Sequence, residues 1–386
     1  MLNLSLVKQE YEYLDNAVFL NSSSVSVPPM RVRNACRSVM DDLAEACGLP
    51  AYDAYDRIRS QTKQMIANLL NASPEEIAFI KNTTEGNSLL AHGLDLKPGD
   101  SVVLCDLEHQ SLLYPWLYRQ NTGIHVRIVR SRNGSFTLDD IAAQTDETTR
   151  VIAVSAVQYG SGCLADLNGI GSYCQKHGII FAVDAIQALG KIPVDVKTMH
   201  IDYLTCGAFK GLLGSLGIAF LYCKKNLIPH IEPVNISYHN VMLTAEAPDL
   251  LSDFSAPELR TDIHRLEAGS SNTYGIISLN KGVELILDLG TDNIFFHILE
   301  LEKHLRDRLK DSGYAFYDHD PRAGFSGVVC MRYPEKLTPV IQEAFKNNKI
   351  YATIKPGYLR MSLEFFNTAE QMDLTADTLL RCIRSI

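Results

Sequence analysis

The chain has 386 residues, 46% of them hydrophobic, and a formal net charge of −9 at pH 7. This length suits one large domain and one smaller domain, and the excess of acid excludes the basic surface that nucleic-acid binding requires. Nine cysteines are scattered singly without a C-x-x-C pair, which argues against a disulfide framework or a zinc site and favours a reducing compartment.

Neither a membrane span nor a signal peptide is expected. The sequence contains no uninterrupted apolar stretch of about 18 residues. Its start, MLNLSLVKQEYEYLDN, has polar and acidic residues where a signal peptide has its apolar core. We therefore expect a cytoplasmic protein with no membrane partner, and the sequence suggests no metal site.

In the first two thirds of the chain, apolar runs bounded by turn residues alternate with stretches of helical periodicity. The predicted strands are 76–80, 101–105, 125–129, 151–157, 179–184, 203–206 and 218–223. The predicted helices are 29–44, 52–70, 85–94, 166–177 and a short one at 194–199. This alternation predicts an α/β fold with a mostly parallel seven-stranded sheet covered by helices, whose ligands bind beyond the carboxyl ends of the strands.

The pattern changes after about residue 255. Helices are predicted at 278–289, 293–312, 337–347 and 369–384, with strands at 327–332 and 359–363. This order predicts a smaller α+β C-terminal domain at 256–386, after an N-terminal arm at 1–20 and a large domain at 21–255.

Two charged residues lie where predicted strands end. Asp184 closes the strand in FAVDAIQALG and could pair with a protonated ring nitrogen or cap the following turn. Lys210 lies in the apolar, glycine-rich segment CGAFKGLLGSLG. Burial there would lower its pKa and make it a nucleophilic amine, whereas the alternative is a surface lysine whose stem covers apolar neighbours.

Two further motifs follow predicted strands. In KNTTEGNSLL, the residues Thr83, Thr84 and Glu85 suit a helix start, whose free N–H groups could bind a phosphate or simply be capped. In CDLEHQSLLYPW, His109 could cover a flat ring or be an ordinary loop histidine. Together with an acid and a lysine, an anion site and an aromatic cover are what pyridoxal 5′-phosphate (PLP) needs.

The chain resembles the class V aminotransferase family, the fold-type I PLP-dependent group that includes cysteine desulfurases and isopenicillin-epimerase-like enzymes. The resemblance runs over nearly the whole chain. It is carried by the joint order of YLDNAVFLNSSSVSVPP, NTTEG, EHQSLLYPW, VDAIQALGKIPVD, RLEAGSSNTYGI and LRMSLEFFNT, and by the spacing from Asp202 to Lys210.

The resemblance implies roles for the residues that would bind the cofactor. Lys210 would form the Schiff base and shuttle the proton, and Asp184 would pair with the pyridinium nitrogen. His109 would stack on the ring. The expected further contacts are Gln187 with the phenolic oxygen, Gln158 or Tyr159 beside it, and Thr84 and Glu85 with the phosphate.

Substrate and subunit contacts are implied as well. Arg360 would bind the substrate α-carboxylate, and we predict Asn21 as a second substrate-binding residue. Ser270 matches a position that reaches the phosphate of a neighbouring subunit, which implies a homodimer with shared active sites. The side-chain specificity is expected from the loops 21–27, 237–241 and 352–358.

The sequence departs from the family pattern in two places. Gly207 and Phe209 stand where the family often has serine and histidine, so other groups must replace two phosphate donors. Cysteine desulfurases carry a nucleophilic cysteine on a long loop before the arginine, but the segment KIYATIKPGYLR is short and has none. Cys330 lies in a predicted buried strand. We therefore do not expect persulfide-forming desulfurase activity.

These features predict a lyase that acts at the α-carbon of an amino acid, by β-elimination or C–S cleavage of a cysteine-type substrate. An aminotransferase and an amino-acid epimerase are the alternatives, and a silent PLP-binding protein is the non-enzyme alternative. A nicotinamide-dependent oxidoreductase is disfavoured because no G-x-G-x-x-G follows the early strands.

Overall fold

The computed structural model describes residues 2–14, 16–45, 51–242, 256–317 and 324–384. The helices of these ranges are α1 (Leu4–Tyr11), α2 (Met30–Glu45), α3 (Ala51–Leu70), α4 (Thr83–Gly93), α5 (Gln110–Tyr118), α6 (Leu138–Ala142), α7 (Leu167–His177), α8 (Thr273–Leu289), α9 (Thr291–Leu309), α10 (Thr338–Asn347) and α11 (Ala369–Ile383). The strands are β1 (Val18–Phe19), β2 (Ile77–Ile80), β3 (Ser101–Cys105), β4 (His125–Val129), β5 (Thr149–Ser155), β6 (Ile180–Asp184), β7 (Tyr203–Gly207), β8 (Ala219–Cys223), β9 (Ala315–Phe316), β10 (Val328–Arg332), β11 (Ile350–Tyr351), β12 (Thr353–Lys355) and β13 (Tyr358–Ser362).

A seven-stranded sheet forms the centre of the larger part, in the order β2-β8-β7-β6-β5-β3-β4. Strand β8 runs antiparallel to both neighbours, and the other pairs are parallel. The register places Ser155, Asp184 and Thr205 side by side at the carboxyl ends of β5, β6 and β7. In parallel sheets this edge is where ligands bind.

Helices cover both faces of this sheet, which explains why its central strands are continuous apolar runs. Alternate strand residues belong to two separate cores. One core includes Leu90 of α4 and Trp116 of α5, and the other includes Ile66 of α3 and Leu279 of α8. The predicted α/β architecture is therefore confirmed.

A smaller antiparallel sheet, in the order β12-β13-β10-β9, packs with α9, α10 and α11. The N-terminal segment joins this part of the molecule, because β1 pairs in parallel with β11. Val18 lies opposite Ile350 and Phe19 opposite Tyr351. The chain start therefore lies against the residues that precede Arg360 in sequence.

The seven predicted strands are present, each within two residues of its predicted bounds. The predicted helix at 194–199 is wrong. Asp195 accepts hydrogen bonds from the N–H groups of Lys197 and Thr198, both at 2.9 Å, and this local bonding favours a turn over a helix. The predicted domain boundary at 255/256 adjoins residues 243–255, which lie outside the described residues.

No helix in the described part of the chain is long and apolar enough to cross a membrane. Within the same residues, no group of three or more His, Cys, Asp or Glu side chains is arranged to hold a metal ion.

Candidate active site

A cavity of about 680 Å³ opens at the carboxyl ends of β5, β6 and β7. It is lined by residues from both sheets. Those from the large sheet and its loops include Thr83, Thr84, His109, Ser155, Tyr159, Asp184, Gln187, Phe209 and Lys210. Those from the N-terminal segment and the small sheet are Ser23, Ser24, Thr353, Lys355, Tyr358 and Arg360.

Asp184 is the last residue of β6 and is only 2% exposed. Its carboxylate accepts hydrogen bonds from the N–H of Ile186 at 3.1 Å and from Nδ2 of Asn87 at 3.4 Å. Asn87 is held in turn by the hydroxyl of Thr205, which donates to its Oδ1 at 2.8 Å. Burial raises the pKa of Asp184, while the Ile186 N–H, Lys210 and Asn87 act in the opposite direction. This acid is held in one orientation at the floor of the cavity.

Lys210 lies in the loop between β7 and β8. That loop is closed at its base by hydrogen bonds from Ala208 N to the carbonyl of Ile218 (3.1 Å) and from Gly214 N to the carbonyl of Ala208 (2.8 Å). Burial lowers the pKa of Lys210 to about 8, and the positive charge of Arg360 adds to the effect, whereas Asp184 opposes it. At pH 7 about a tenth of this amine is therefore unprotonated and nucleophilic, far more than for an unperturbed lysine.

The start of α4 presents hydrogen-bond donors at the cavity. Asn82 caps the helix by accepting a hydrogen bond from the N–H of Glu85 at 2.9 Å. Thr83 and Thr84 are the first two helical residues, so their N–H groups have no acceptor within the helix. The hydroxyl of Thr83 is buried and has no hydrogen-bond partner in the protein.

His109 caps α5 and lies beside Tyr159, with ring centroids 5.0 Å apart and planes at 80°. Its Nδ1 accepts a hydrogen bond from the N–H of Ser111 at 3.1 Å. Partial burial lowers the pKa of His109, and the charges of Lys210 and Arg360 lower it further. The imidazole is therefore held neutral and oriented at the cavity wall.

Arg360 of β13 lines the same cavity as Lys210 and is 7% exposed. Its Nη1 donates to the carbonyl of Tyr159 at 3.0 Å. Its Nη2 donates to the hydroxyls of Ser24 at 2.8 Å and Thr353 at 3.2 Å, while Nε has no partner. These bonds use three of the five guanidinium N–H groups, so the Nε–H and one Nη1–H remain for a ligand.

Residues 19–374 match the family model described as aminotransferase class-V. The chain belongs to the class V aminotransferase family. A probable cysteine desulfurase of Methanothermobacter thermautotrophicus is 28% identical, with 97% of this chain and 96% of that protein aligned.

Solved structures with the same fold include apo cysteine desulfurase from Thermococcus onnurineus NA1. Its TM-score is 0.88 at 22% identity, and the match covers 100% of this chain and 99% of that one. The cystine C–S lyase C-DES in complex with cysteine persulfide gives a TM-score of 0.85 at 19% identity, with 96% and 99% covered. As a member of the class V aminotransferase family, the protein is a PLP-dependent enzyme.

The cavity of this class V enzyme fits PLP by its donors and acceptors. Four of its lining residues have a buried polar atom without a partner in the protein: Ser23 Oγ, Thr83 Oγ1, Gln187 Oε1 and Arg360 Nε. Buried polar atoms are costly unless something bonds them. PLP with its amino-acid substrate brings a phosphate, a phenolic oxygen and a carboxylate, which can accept hydrogen bonds from the two hydroxyls and from Arg360 Nε. Gln187 Oε1 is itself an acceptor, because the Nε2 of that residue donates to the carbonyl of Ser23 at 3.1 Å.

The two departures before Lys210 have a structural counterpart. A Cβ atom on Gly207 would lie 3.2 Å from Thr83 Oγ1 and 3.2 Å from the Phe209 ring. The Thr83 hydroxyl therefore stands next to the place that a serine side chain at position 207 would occupy. Phe209 lines the cavity as an apolar wall.

Two predicted residues lie at a different cavity. Glu85 and Ser270 line a separate space of about 120 Å³. The Glu85 carboxylate accepts a hydrogen bond from the N–H of Lys81 at 2.6 Å, and its own N–H is used by Asn82. The prediction that Glu85 donates to the phosphate therefore has no support in this geometry. Ser270 is exposed, with its hydroxyl 3.3 Å from that of Tyr238.

Two more predicted residues lie behind the cavity wall. Gln158 is fully buried, and its Nε2 donates to Glu108 at 2.6 Å, so Tyr159 is the one of that pair that lines the cavity. Asn21 accepts hydrogen bonds from Thr353 at 2.8 Å and Ser24 at 3.0 Å. Because both of those residues bond Arg360, Asn21 supports the arginine and does not line the cavity.

Glu108 was not identified from the sequence as part of the site. It is 4% exposed and accepts hydrogen bonds from the N–H of Ser155 at 3.0 Å and from Gln158. Burial raises the pKa of Glu108 to about 7, although Ser155 and Gln158 lower it. An acidic residue directly before His109, at the end of a strand, could have indicated from the sequence that Glu108 belongs to the site. Asn87, which bonds Asp184, could not have been identified in this way, because nothing in the local sequence links the two residues.

Proposed function

We propose that this class V enzyme is a PLP-dependent lyase that cleaves the side chain of a cysteine-type amino acid, by β-elimination or C–S cleavage. The observation that carries the proposal is that Lys210, Asp184 and Arg360 line one cavity. An amino acid bound through its carboxylate at Arg360 has its α-carbon between that residue and the Lys210 amine. The relatives named probable cysteine desulfurases support a sulfur-containing substrate.

The residues divide the work as follows. Bound PLP supplies an electron sink for the bond broken at the α-carbon. Asp184 holds the proton at the ring nitrogen, and the neutral Lys210 amine takes the proton from the α-carbon. Thr83 and Thr84 bind the phosphate at the start of α4, and His109 covers the ring. Arg360 binds the α-carboxylate through its free N–H groups and orients the substrate.

A protein-bound persulfide is not part of the proposal. Cys330 is fully buried in β10, with its Sγ 3.4 Å from the hydroxyl of Tyr358. Burial raises the pKa of Cys330 to about 12, so its thiolate is scarce at neutral pH. Among the described residues, no cysteine lines the cavity. The sulfur therefore leaves with the released product and is not transferred to an enzyme thiol.

An absorption spectrum and a product analysis test the proposal. We expect purified enzyme with PLP to show a band at roughly 410–430 nm, as PLP bound to a lysine does, and Lys210→Ala to abolish or shift it. Lys346→Gln, at an exposed lysine of α10, is the control. With L-cysteine or L-cystine, pyruvate and ammonia should form without added 2-oxo acid. An absolute requirement for a 2-oxo acid would show an aminotransferase instead.

We propose further that the enzyme is a homodimer in which Ser270 reaches the cofactor phosphate of the partner. The supporting observation is that Ser270 is exposed on a cavity separate from that of Lys210. Sedimentation should give twice the 43.0 kDa chain mass. Ser270→Ala should weaken PLP binding and leave sedimentation unchanged, whereas unchanged PLP affinity would remove this role.

A further inference from the structure

The hairpin of β12 and β13 forms one wall of the cavity. Its register pairs Thr353 with Arg360 and Lys355 with Tyr358. Alternate residues of a strand point to the same face. Consistent with this, all four of these residues line the cavity. Lys355 therefore shares a face with Arg360, at the place in the chain where desulfurases carry their cysteine loop.

The backbone at Lys355 is fixed although its side chain is exposed. Its carbonyl accepts a hydrogen bond from the hydroxyl of Tyr333 at 2.8 Å. The turn after it is held because the N–H of Tyr333 donates to the carbonyl of Gly357 at 3.1 Å. Gly357 has a φ of +68°, which glycine adopts without strain. The lysine side chain thus starts from a defined position beside the substrate arginine.

The charges of the cavity are unbalanced. Among the lining residues that the structure describes, Asp184 is the only acidic one, whereas Lys210, Lys355 and Arg360 are basic. Within the described ranges, no carboxylate lies within ion-pair distance of the Lys355 ammonium. Asp184 is buried at the end of β6, where it bonds the N–H of Ile186 and Asn87. Lys355 is therefore a cation at the cavity that has no carboxylate partner in the described part of the chain.

The spacing suggests what this cation binds. At about 3.3 Å per residue, Lys355 lies roughly 6–7 Å along the strand from the pair formed by Thr353 and Arg360. We propose that Lys355 binds an anionic group on the substrate side chain, so that the enzyme prefers amino acids carrying a carboxylate, sulfinate or similar anion on the β-carbon. This inference rests on the proposed function, because it assumes that Arg360 binds the α-carboxylate.

Two amino acids of nearly equal shape test the proposal. L-Aspartate and L-asparagine differ in the charge of the side chain, and binding of each to the PLP-loaded enzyme can be followed by calorimetry and by the change in absorption. We expect wild-type enzyme to bind L-aspartate about fivefold more tightly, as expected for an exposed ion pair, and the preference to shrink as NaCl is raised. Lys355→Gln should abolish the preference, and Lys355→Arg should keep it.

The control is Lys346→Gln, which removes a positive charge from an exposed position on α10 and should leave the preference unchanged. Equal affinity of wild-type enzyme for the two amino acids would overturn the inference. A Lys355→Gln enzyme that keeps the preference for L-aspartate would also overturn it. A Lys355→Gln enzyme with weaker PLP binding would overturn it as well, because the lysine would then bind the cofactor and not the substrate. If neither amino acid nor L-cysteine alters the wild-type spectrum, the proposed function itself fails.

Discussion

Arg360 and Tyr159 are joined by a 3.0 Å hydrogen bond from Nη1 of the arginine to the tyrosine carbonyl. The hydroxyl of Tyr358 makes a second bond of the same kind, to the carbonyl of Gly160 at 3.1 Å. The hairpin of the small sheet is therefore bonded to the loop that follows β5 of the large sheet. The position of the guanidinium relative to Lys210 depends on these contacts between the two sheets.

Arg360→Lys should raise the KM for the amino-acid substrate by about 10- to 100-fold, because an ammonium has only three N–H groups and cannot keep three hydrogen bonds to the protein and still donate to a carboxylate. The kcat should change much less, since Lys210 and Asp184 are untouched. Steady-state kinetics on the variant and on Lys346→Gln measure the effect. A KM equal to that of wild-type enzyme would show that the carboxylate binds elsewhere.

The lowered pKa of Lys210 predicts a pH dependence for cofactor uptake. The neutral amine is the reactive form, so the rate at which protein stripped of PLP takes up PLP should rise with pH and level off above a midpoint of about 8. An unperturbed lysine would instead give a midpoint near 10.4. Stopped-flow absorbance between pH 6.5 and 10 distinguishes these midpoints, and a midpoint near 10.4 would contradict the burial of this amine.

Thr83→Val should weaken PLP binding by about tenfold, because the buried hydroxyl would no longer donate to the phosphate. Thr83→Ser keeps the hydroxyl and should bind PLP nearly as well as wild-type enzyme. Adding Gly207→Ser to Thr83→Val should restore part of the affinity, since the two positions adjoin. Equilibrium dialysis gives the three dissociation constants. Equal values for valine and serine at position 83 would rule out the hydroxyl as a donor.

Glu267 should be needed for stability, not for the chemistry. It is 3% exposed and bonds Lys63 at 3.0 Å, His264 at 2.8 Å and the N–H of Phe79 at 2.9 Å, and it also pairs with Arg59. Although burial alone would raise the pKa of Glu267, these partners hold it well below its usual range.

Replacing Glu267 by glutamine leaves the buried Lys63 without its counter-ion, so we expect a loss of about 3–5 kcal/mol in the free energy of unfolding. Urea denaturation at pH 7 measures it, with the exposed Glu343→Gln as the matched control. The contribution of Glu267 to the free energy of unfolding should be fully present above the pKa of an unfolded glutamate, about 4.3. It should be lost as the pH falls below that value toward the depressed pKa of the folded state, because the carboxylate is then protonated. A Glu267→Gln protein as stable as wild type would show that the cluster contributes nothing net.

The sequence by itself determined the sheet and the principal chemical groups. Strands buried on both faces must be apolar throughout, and that pattern identified the seven strands within two residues. Because parallel strands end at one edge, it also placed Asp184 and Lys210 at a common site. Arg360 was named through the family resemblance of LRMSLEFFNT, since no local pattern marks a substrate arginine.

Only the tertiary structure decided which neighbours of these residues reach the cavity. Thr83 and Glu85 are two residues apart, yet the turn of α4 directs one to the cavity and the other to a separate space. The register of β12 on β13 puts Lys355 on the face of Arg360. Asn21, from the N-terminal segment, instead bonds Thr353 and Ser24, which hold the arginine. Helix phase separates neighbouring residues such as Thr83 and Glu85, and contacts between strands bring together residues hundreds of positions apart. No local sequence pattern encodes either of them.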